Sequence, residues 1–152
     1  MSDIETRLMS LALEQARQAG KAGEVPVGAV LADEQGEVIA SASNRTIALC
    51  DPSAHAEILA LRAGAEILHN YRLPNCILCV TLEPCPMCAG ALIWARVKKV
   101  VFGANDSKAG ALGSVLSLHK ETRFNHRLEI SSGVLAEQSI ALLQNFFAMR
   151  RK

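Results

Sequence analysis

The run "CILCVTLEPCPMCAGALIWARVKKVVFGA", from Cys76 to Ala104, decides the fold. Its outer parts, CILCVTL and KKVVFGA, are short apolar stretches of strand length. Its middle, PMCAGALIWA, is apolar over a helical length and opens on a proline, which suits the first position of a helix. Strand, helix and strand in so short a span predict a β-α-β crossover with two parallel strands side by side.

Working outward, "VPVGAVLA" and "EVIASAS" flank the turn-like "DEQGE" and predict a β-hairpin. Ser2 and Glu5 fit a capping box at the head of a first helix, in which Ile4, Leu8, Leu11 and Ala12 recur at helical spacing before Gly20 and Gly23 interrupt. Between hairpin and crossover, "NRTIALCDP" is a loop, and Asp51-Pro52 predicts the start of a second helix through "DPSAHAEILALRAG". Beyond Ala104 come a Gly- and Ser-bearing stretch, a short strand in "RLEIS" and a closing helix through "LAEQSIALLQNFFAMRR". No repeat or linker divides the 152 residues, so one domain, 1–152, is expected.

Half of the residues are hydrophobic, enough for one core without covalent staples. Five cysteines, an odd number, bunch between Cys50 and Cys88, and no apolar run is long enough to cross a membrane. A soluble cytoplasmic protein is expected, with no membrane partner. The net charge of +1 conceals an asymmetry: six basic and eleven acidic residues lie up to Ala95, ten basic and four acidic beyond it. Such a distribution permits an electropositive face for a phosphate backbone, although on its own it more often means nothing beyond uneven solvated surface.

The chemistry concentrates in two places. In Cys85-Pro86-Met87-Cys88 the proline puts Cys85 at the helix cap and Cys88 in the first turn, so both sulfurs can point past the helix end. His55 and Glu57, two apart, would not face each other inside a helix, but at its open first turn both can lean the same way. Two helix N-termini converging on one point would bring His55, Cys85 and Cys88 together as zinc ligands. The unpaired N–H groups and positive dipole ends there favour thiolates. Three protein ligands leave a fourth position for water, whose pKa zinc lowers, and Glu57 stands free to move protons as general acid and base. Hydrolytic deamination is the reaction class that follows.

A closed structural site is the alternative, with Cys50 or Cys79 as a fourth ligand. Cys76 and Cys79, three apart in a strand, point to opposite sheet faces and read as core thiols. His69 fits a helix end, His119 a polar surface turn and His126 a solvated basic segment.

"HAE" and "PCPMC", thirty positions apart, resemble the zinc-dependent cytidine and nucleoside deaminase superfamily. More narrowly, "EVPVGAVLA", "SNR", "NYRLPNCILCVTLEPCPMCAGALI", "VVFGANDSKAGALGS", "FNHRLEI" and "FFAMRR" resemble its bacterial branch that acts on tRNA. The resemblance implies a three-layer α/β/α fold around a five-stranded mixed sheet and a homodimer. It implies conversion of adenosine to inosine at the wobble position of a tRNA anticodon stem-loop, with one Zn²⁺ per chain. It assigns zinc to His55, Cys85 and Cys88, and makes Glu57 the proton shuttle beside a zinc-activated hydroxide. It further implies that Asn44 hydrogen-bonds the target nucleoside and Asp106 contacts a neighbouring ribose, although Asn44 could equally begin a turn and Asp106 cap the next segment. Asn105 and Ser107 depart from the branch, which often carries Arg before the aspartate or Pro after it. A free base or nucleoside, such as guanine or cytosine, is the rival substrate. Arg150, Arg151 and Lys152 could bind phosphates, with Phe146 and Phe147 as packing residues.

Overall fold

The structure, a computed structural model, describes residues 2–150. Helix α1 (Asp3–Lys21) leads into strands β1 (Gly28–Ala32) and β2 (Val38–Ser43), then helix α2 (Ala56–Leu68) and strand β3 (Ile77–Leu82). Helix α3 (Pro86–Trp94) crosses to strand β4 (Lys99–Ala104), and strand β5 (Glu129–Ser131) and helix α4 (Ala136–Arg150) close the chain. The sheet order is β2-β1-β3-β4-β5. The hairpin is antiparallel, β1 is antiparallel to β3, and β3, β4 and β5 run parallel, so the sheet is mixed and five-stranded. The β-α-β crossover is where the sequence puts it.

Alternation along each central strand splits the core in two, because successive side chains point to opposite faces. Ala29, Leu31, Leu78, Val80, Val100 and Phe102 meet Ala60 and Leu61 of α2 and Leu92 and Ile93 of α3. Val30, Ala32, Cys79 and Val101 face the other way, onto Leu8, Met9, Ala12 and Leu13 of α1 and Leu142 of α4. Helices therefore cover both faces, in three layers. Cys76 and Cys79 fall in opposite clusters, and Cys79 lies 3.9 Å from the Met9 sulfur. Both are core thiols, and burial raises the pKa of each. Gly28 permits the closest helix contact, since a Cβ there would run into the Ala12 carbonyl oxygen of α1.

Three local readings change. Helix α2 begins at Ala56, not at Asp51; Asp51 instead accepts hydrogen bonds from the Ser53 N–H at 2.8 Å and hydroxyl at 2.7 Å, closing a separate turn. His119 is half-buried on a short 3₁₀ turn (Leu118–Lys120), and His126 Nε2 sits 2.6 Å from the Val97 carbonyl, so neither is simply solvated. His69 does end α2, in the left-handed conformation at φ 52°. Among the described residues, no helix is long and apolar enough to cross a membrane.

The Ser2 side chain caps α1 by accepting from the Glu5 N–H at 3.1 Å, but Glu5 does not reciprocate. Its buried carboxylate accepts instead from Lys99 Nζ on β4 and, at 2.7 Å, from Ser131 Oγ on β5, tying α1 to the far strands. Burial opposes ionisation of Glu5, yet the bonds from Lys99 and Ser131 outweigh it and hold its pKa below the ordinary value. A carboxyl with a depressed folded pKa stabilises fully above its unfolded pKa, about 4.3. That contribution drains away as pH falls through the folded value. Glu5→Gln is expected to lose about 1 kcal/mol at neutral pH and to converge on the wild type as the solution is acidified. Urea unfolding across the acid range checks this.

Candidate metal centre and active site

One end of the sheet gathers the candidate residues. There β3 and β4 finish, β2 finishes antiparallel to the start of β1, and the N-termini of α2 and α3 point inward. Crevices outside the carboxyl ends of parallel strands are where α/β sheets bind ligands. A pocket of about 300 Å³ opens there, lined by residues that include Val25, Asn44, Thr46, His55, Glu57, Glu83, Cys85, Asp106 and Ala109. Its volume lies within the range usual for small-molecule sites.

His55 is the N-cap of α2 and Cys85 the N-cap of α3, with Pro86 in the first turn as expected. Neither side chain caps its helix. Both turn toward the pocket instead, leaving helix-end N–H groups to contribute positive potential. Because α2 starts at Ala56, His55 lies outside the helix proper and Glu57 at its second position, which removes the geometric difficulty of residues two apart.

His55 Nδ1 stands 3.6 Å from Cys85 Sγ and 3.4 Å from Cys88 Sγ, and the three atoms lie within 4.8 Å of one another. Ligands about 2.0 and 2.3 Å from a tetrahedral zinc would have N···S edges of about 3.6 Å. The donor set has that spacing. Its protons point the same way: a hydrogen bond from the Cys88 thiol, then the nearby His55, pull the Cys85 pKa down to about 4 against the effect of burial. The thiolate in turn raises the pKa of His55. Cys88 is driven up by its bond to Cys85, by burial and by Glu57. Two sulfurs share one negative charge, and a divalent cation relieves that competition by stabilising both as thiolates.

Glu57 is 4% exposed, and burial pushes its pKa up to about 7 even though His55 opposes the shift. Cys50, the candidate fourth ligand, is exposed, and its Sγ donates to the Ile47 carbonyl at 3.7 Å instead of joining the cluster. Cys79 is on the far face of the sheet. Among the described residues, His55, Cys85 and Cys88 form the only His, Cys, Asp and Glu group of metal-binding spacing.

Asn44 donates from Nδ2 to the Val25 carbonyl at 3.4 Å, while its buried Oδ1 has no protein partner. Asp106 both lines the pocket and caps a turn, accepting from the Lys108 N–H at 3.0 Å and the Ala109 N–H at 3.2 Å. Arg150 lies away from the pocket: it donates to the Gly23 carbonyl at 2.8 Å and stacks over Phe146, which packs edge-on against Phe147. Arg151 and Lys152 lie outside the described residues. Sequence reasoning gave no role to two buried acids beside the pocket, Glu24 and Glu83. Each breaks an otherwise apolar run, in "GEVPVGAVLA" and "VTLEPC", and that interruption was the available signal.

The family model of the cytidine and deoxycytidylate deaminase zinc-binding region matches residues 2–104. The chain belongs to the cytidine and deoxycytidylate deaminase family. Within this family it is 50% identical to the tRNA-specific adenosine deaminase of Haemophilus influenzae, over 99% of this chain and 87% of that protein. It is 47% identical to the tRNA-specific adenosine deaminase of Bacillus subtilis, over 95% and 89%. A solved structure from work on A-to-I editing by tRNA:A34 deaminases superposes with a TM-score of 0.88 at 44% identity, covering 91% of this chain and 99% of that one. The guanine deaminase of Nitrosomonas europaea superposes at 0.79 with 29% identity, covering 94% and 84%. The deaminase fold is thus shared by relatives with different bases as substrate.

If the three-residue cluster is the whole protein contribution to the metal, Cys50→Ser retains one zinc per chain. Alanine at His55, Cys85 or Cys88 is expected to weaken zinc binding by at least about a hundredfold. Elemental analysis after dialysis against a weak chelator makes the comparison.

Proposed function

We propose that this chain converts adenosine to inosine at the wobble position of a tRNA anticodon, with zinc held by His55, Cys85 and Cys88. The observation that carries the reading is the meeting, in one pocket, of the His-Cys-Cys cluster, the buried carboxylate of Glu57 and the unpaired amide oxygen of Asn44. The tRNA-specific adenosine deaminases above support adenosine over guanine, because their identity to this chain far exceeds that of the guanine deaminase.

Zinc, when bound, supplies Lewis-acid activation of a water molecule. Glu57 accepts a proton from the attacking water and hands it to ring N1, then takes the second proton from the new C6 hydroxyl and delivers it to the departing N6. A C6–O bond forms, the C6–N6 bond breaks and ammonia leaves. Asn44 offers its free amide atom to the nucleoside, and Asp106, at the opposite lip, faces the adjoining ribose. An anticodon loop presents unstacked bases, so little energy is spent extruding the target. Free thiols throughout suit a reducing cytoplasm.

The same reading includes a homodimer. What supports a place for it is the apolar face of α2 and α3, where Trp94 and Tyr71 are 77% and 75% exposed beside Ile58, Leu61 and Ala91. A second cleft, with Phe124, opens on the other side of Trp94. Exposed aromatics flanked by arginines, here Arg62, Arg96 and Arg123 with Arg72 over the Tyr71 ring, are typical anchors of a protein interface.

Two outcomes are expected. Glu57→Ala keeps its zinc and melting profile while turnover of a purified anticodon stem-loop, read as inosine, falls about 10²–10⁴-fold; normal turnover would remove the shuttle role. Turnover of free guanine or cytidine with an inert stem-loop would overturn the substrate. Trp94→Glu is expected to sediment as a monomer where the wild type sediments as a dimer.

A further inference from the structure

Glu24 and Glu83 are each 2% exposed, and neither is among the ion pairs of the described residues. Glu24 accepts from the Ile47 N–H at 3.1 Å and the Ala48 N–H at 2.8 Å. Glu83 accepts from the N–H groups of Asp106 at 3.0 Å, Leu112 at 3.0 Å and Ser114 at 3.1 Å, and from the Ser114 hydroxyl. A buried carboxylate without a cation carries a large desolvation cost, which only such converging donors offset.

Along the sheet order β2-β1-β3-β4, Glu24 precedes β1 and holds the loop after β2, whereas Glu83 follows β3 and holds the loop after β4, so the two acids serve different flanks of the pocket. Glu24 precedes Val25, whose carbonyl holds Asn44, and grips the loop that carries Thr46. Glu83 follows β3 and grips the loop after β4 that carries Asp106 and Ala109. That loop wraps directly over the acid: a Cβ on Gly110 would collide with the Glu83 carboxylate.

We propose that Glu24 and Glu83 are positioning residues, each clamping the backbone of one lip of the pocket so that Asn44 and Thr46 on one side and Asp106 on the other are held toward the bound nucleotide. The proposal rests on the deaminase reading above. Every group facing the two carboxylates in these bonds is a donor, and three of the four on Glu83 are backbone N–H groups that cannot reverse. Glutamine, equal in size, therefore sets its own NH₂ against at least one N–H, so it does not substitute for either acid.

The test measures stem-loop kinetics, zinc content and amide hydrogen exchange in E24Q, E83Q and the milder Ser114→Ala. Holding of the nucleotide acts alike on bound substrate and transition state, so it appears in KM. The expected result is a KM raised about tenfold in E24Q and E83Q and less in Ser114→Ala, with kcat and zinc little changed. Exchange should quicken at Ile47 and Ala48 in E24Q, and at Asp106, Leu112 and Ser114 in E83Q, while Val100 and Val101 in β4 stay protected. A lowered melting temperature with unchanged KM, or unchanged exchange at those amides, would overturn it. Should the wild type ignore the stem-loop, the substrate reading fails separately, and the same exchange and KM comparisons are made with whichever free nucleoside it turns over.

Discussion

Everything at the active end follows from the parallel pairing of β3 and β4. A parallel pair needs a crossover, and the crossover here is α3, which must start where β3 ends. That start brings Cys85 and Cys88 to the edge of the sheet with their sulfurs beyond the helix end. Helix α2 is packed on the same face and begins at the same edge, so His55 arrives opposite them. Shifting β3 against β4 by one residue would turn every inward side chain outward and carry the cluster away. The placement of the candidate metal ligands is thus a consequence of strand register as much as of residue type.

The electrostatics depend on that placement. Two helix N-termini, both capped by residues whose side chains look elsewhere, direct partial positive charge at a point that holds one thiolate and a buried acid. The Cys85 pKa is lowered and the Cys88 pKa raised by their mutual hydrogen bond, so the two thiols compete for a proton. A divalent cation converts the competition into cooperation, which is why the donor chemistry and the 3.4 and 3.6 Å separations agree on the same occupant.

Much of this was legible in the residues. The strand-length apolar runs at either end of Cys76–Ala104 and the proline at the head of α3 are readable from residue type, and the opposite orientations of Cys76 and Cys79 follow from strand periodicity. The exclusion of Cys79 and Cys50 from the cluster needs the fold, since the residues alone leave either as a candidate fourth ligand. The start of α2 was misplaced because Asp51-Pro52 has the chemistry of a helix cap but uses it on Ser53, and nothing local distinguishes the two uses. Glu5 was half read: Ser2 caps the helix, but the partners of its carboxylate lie 94 and 126 residues away, on strands that only the tertiary fold brings near. Acids placed against apolar runs hint that Glu24 and Glu83 are unusual, but their partners are mostly backbone amides of distant loops, which carry no residue-type signature.

The proposed chemistry requires an open coordination corner, with one imidazole and two sulfurs from the protein and solvent as the remaining ligand. X-ray absorption at the zinc edge of the purified protein tests it most directly. Two sulfur scatterers at about 2.3 Å and two nitrogen or oxygen scatterers at about 2.0–2.1 Å are expected. Three sulfurs around the zinc would contradict the account, for the site would then be closed and structural.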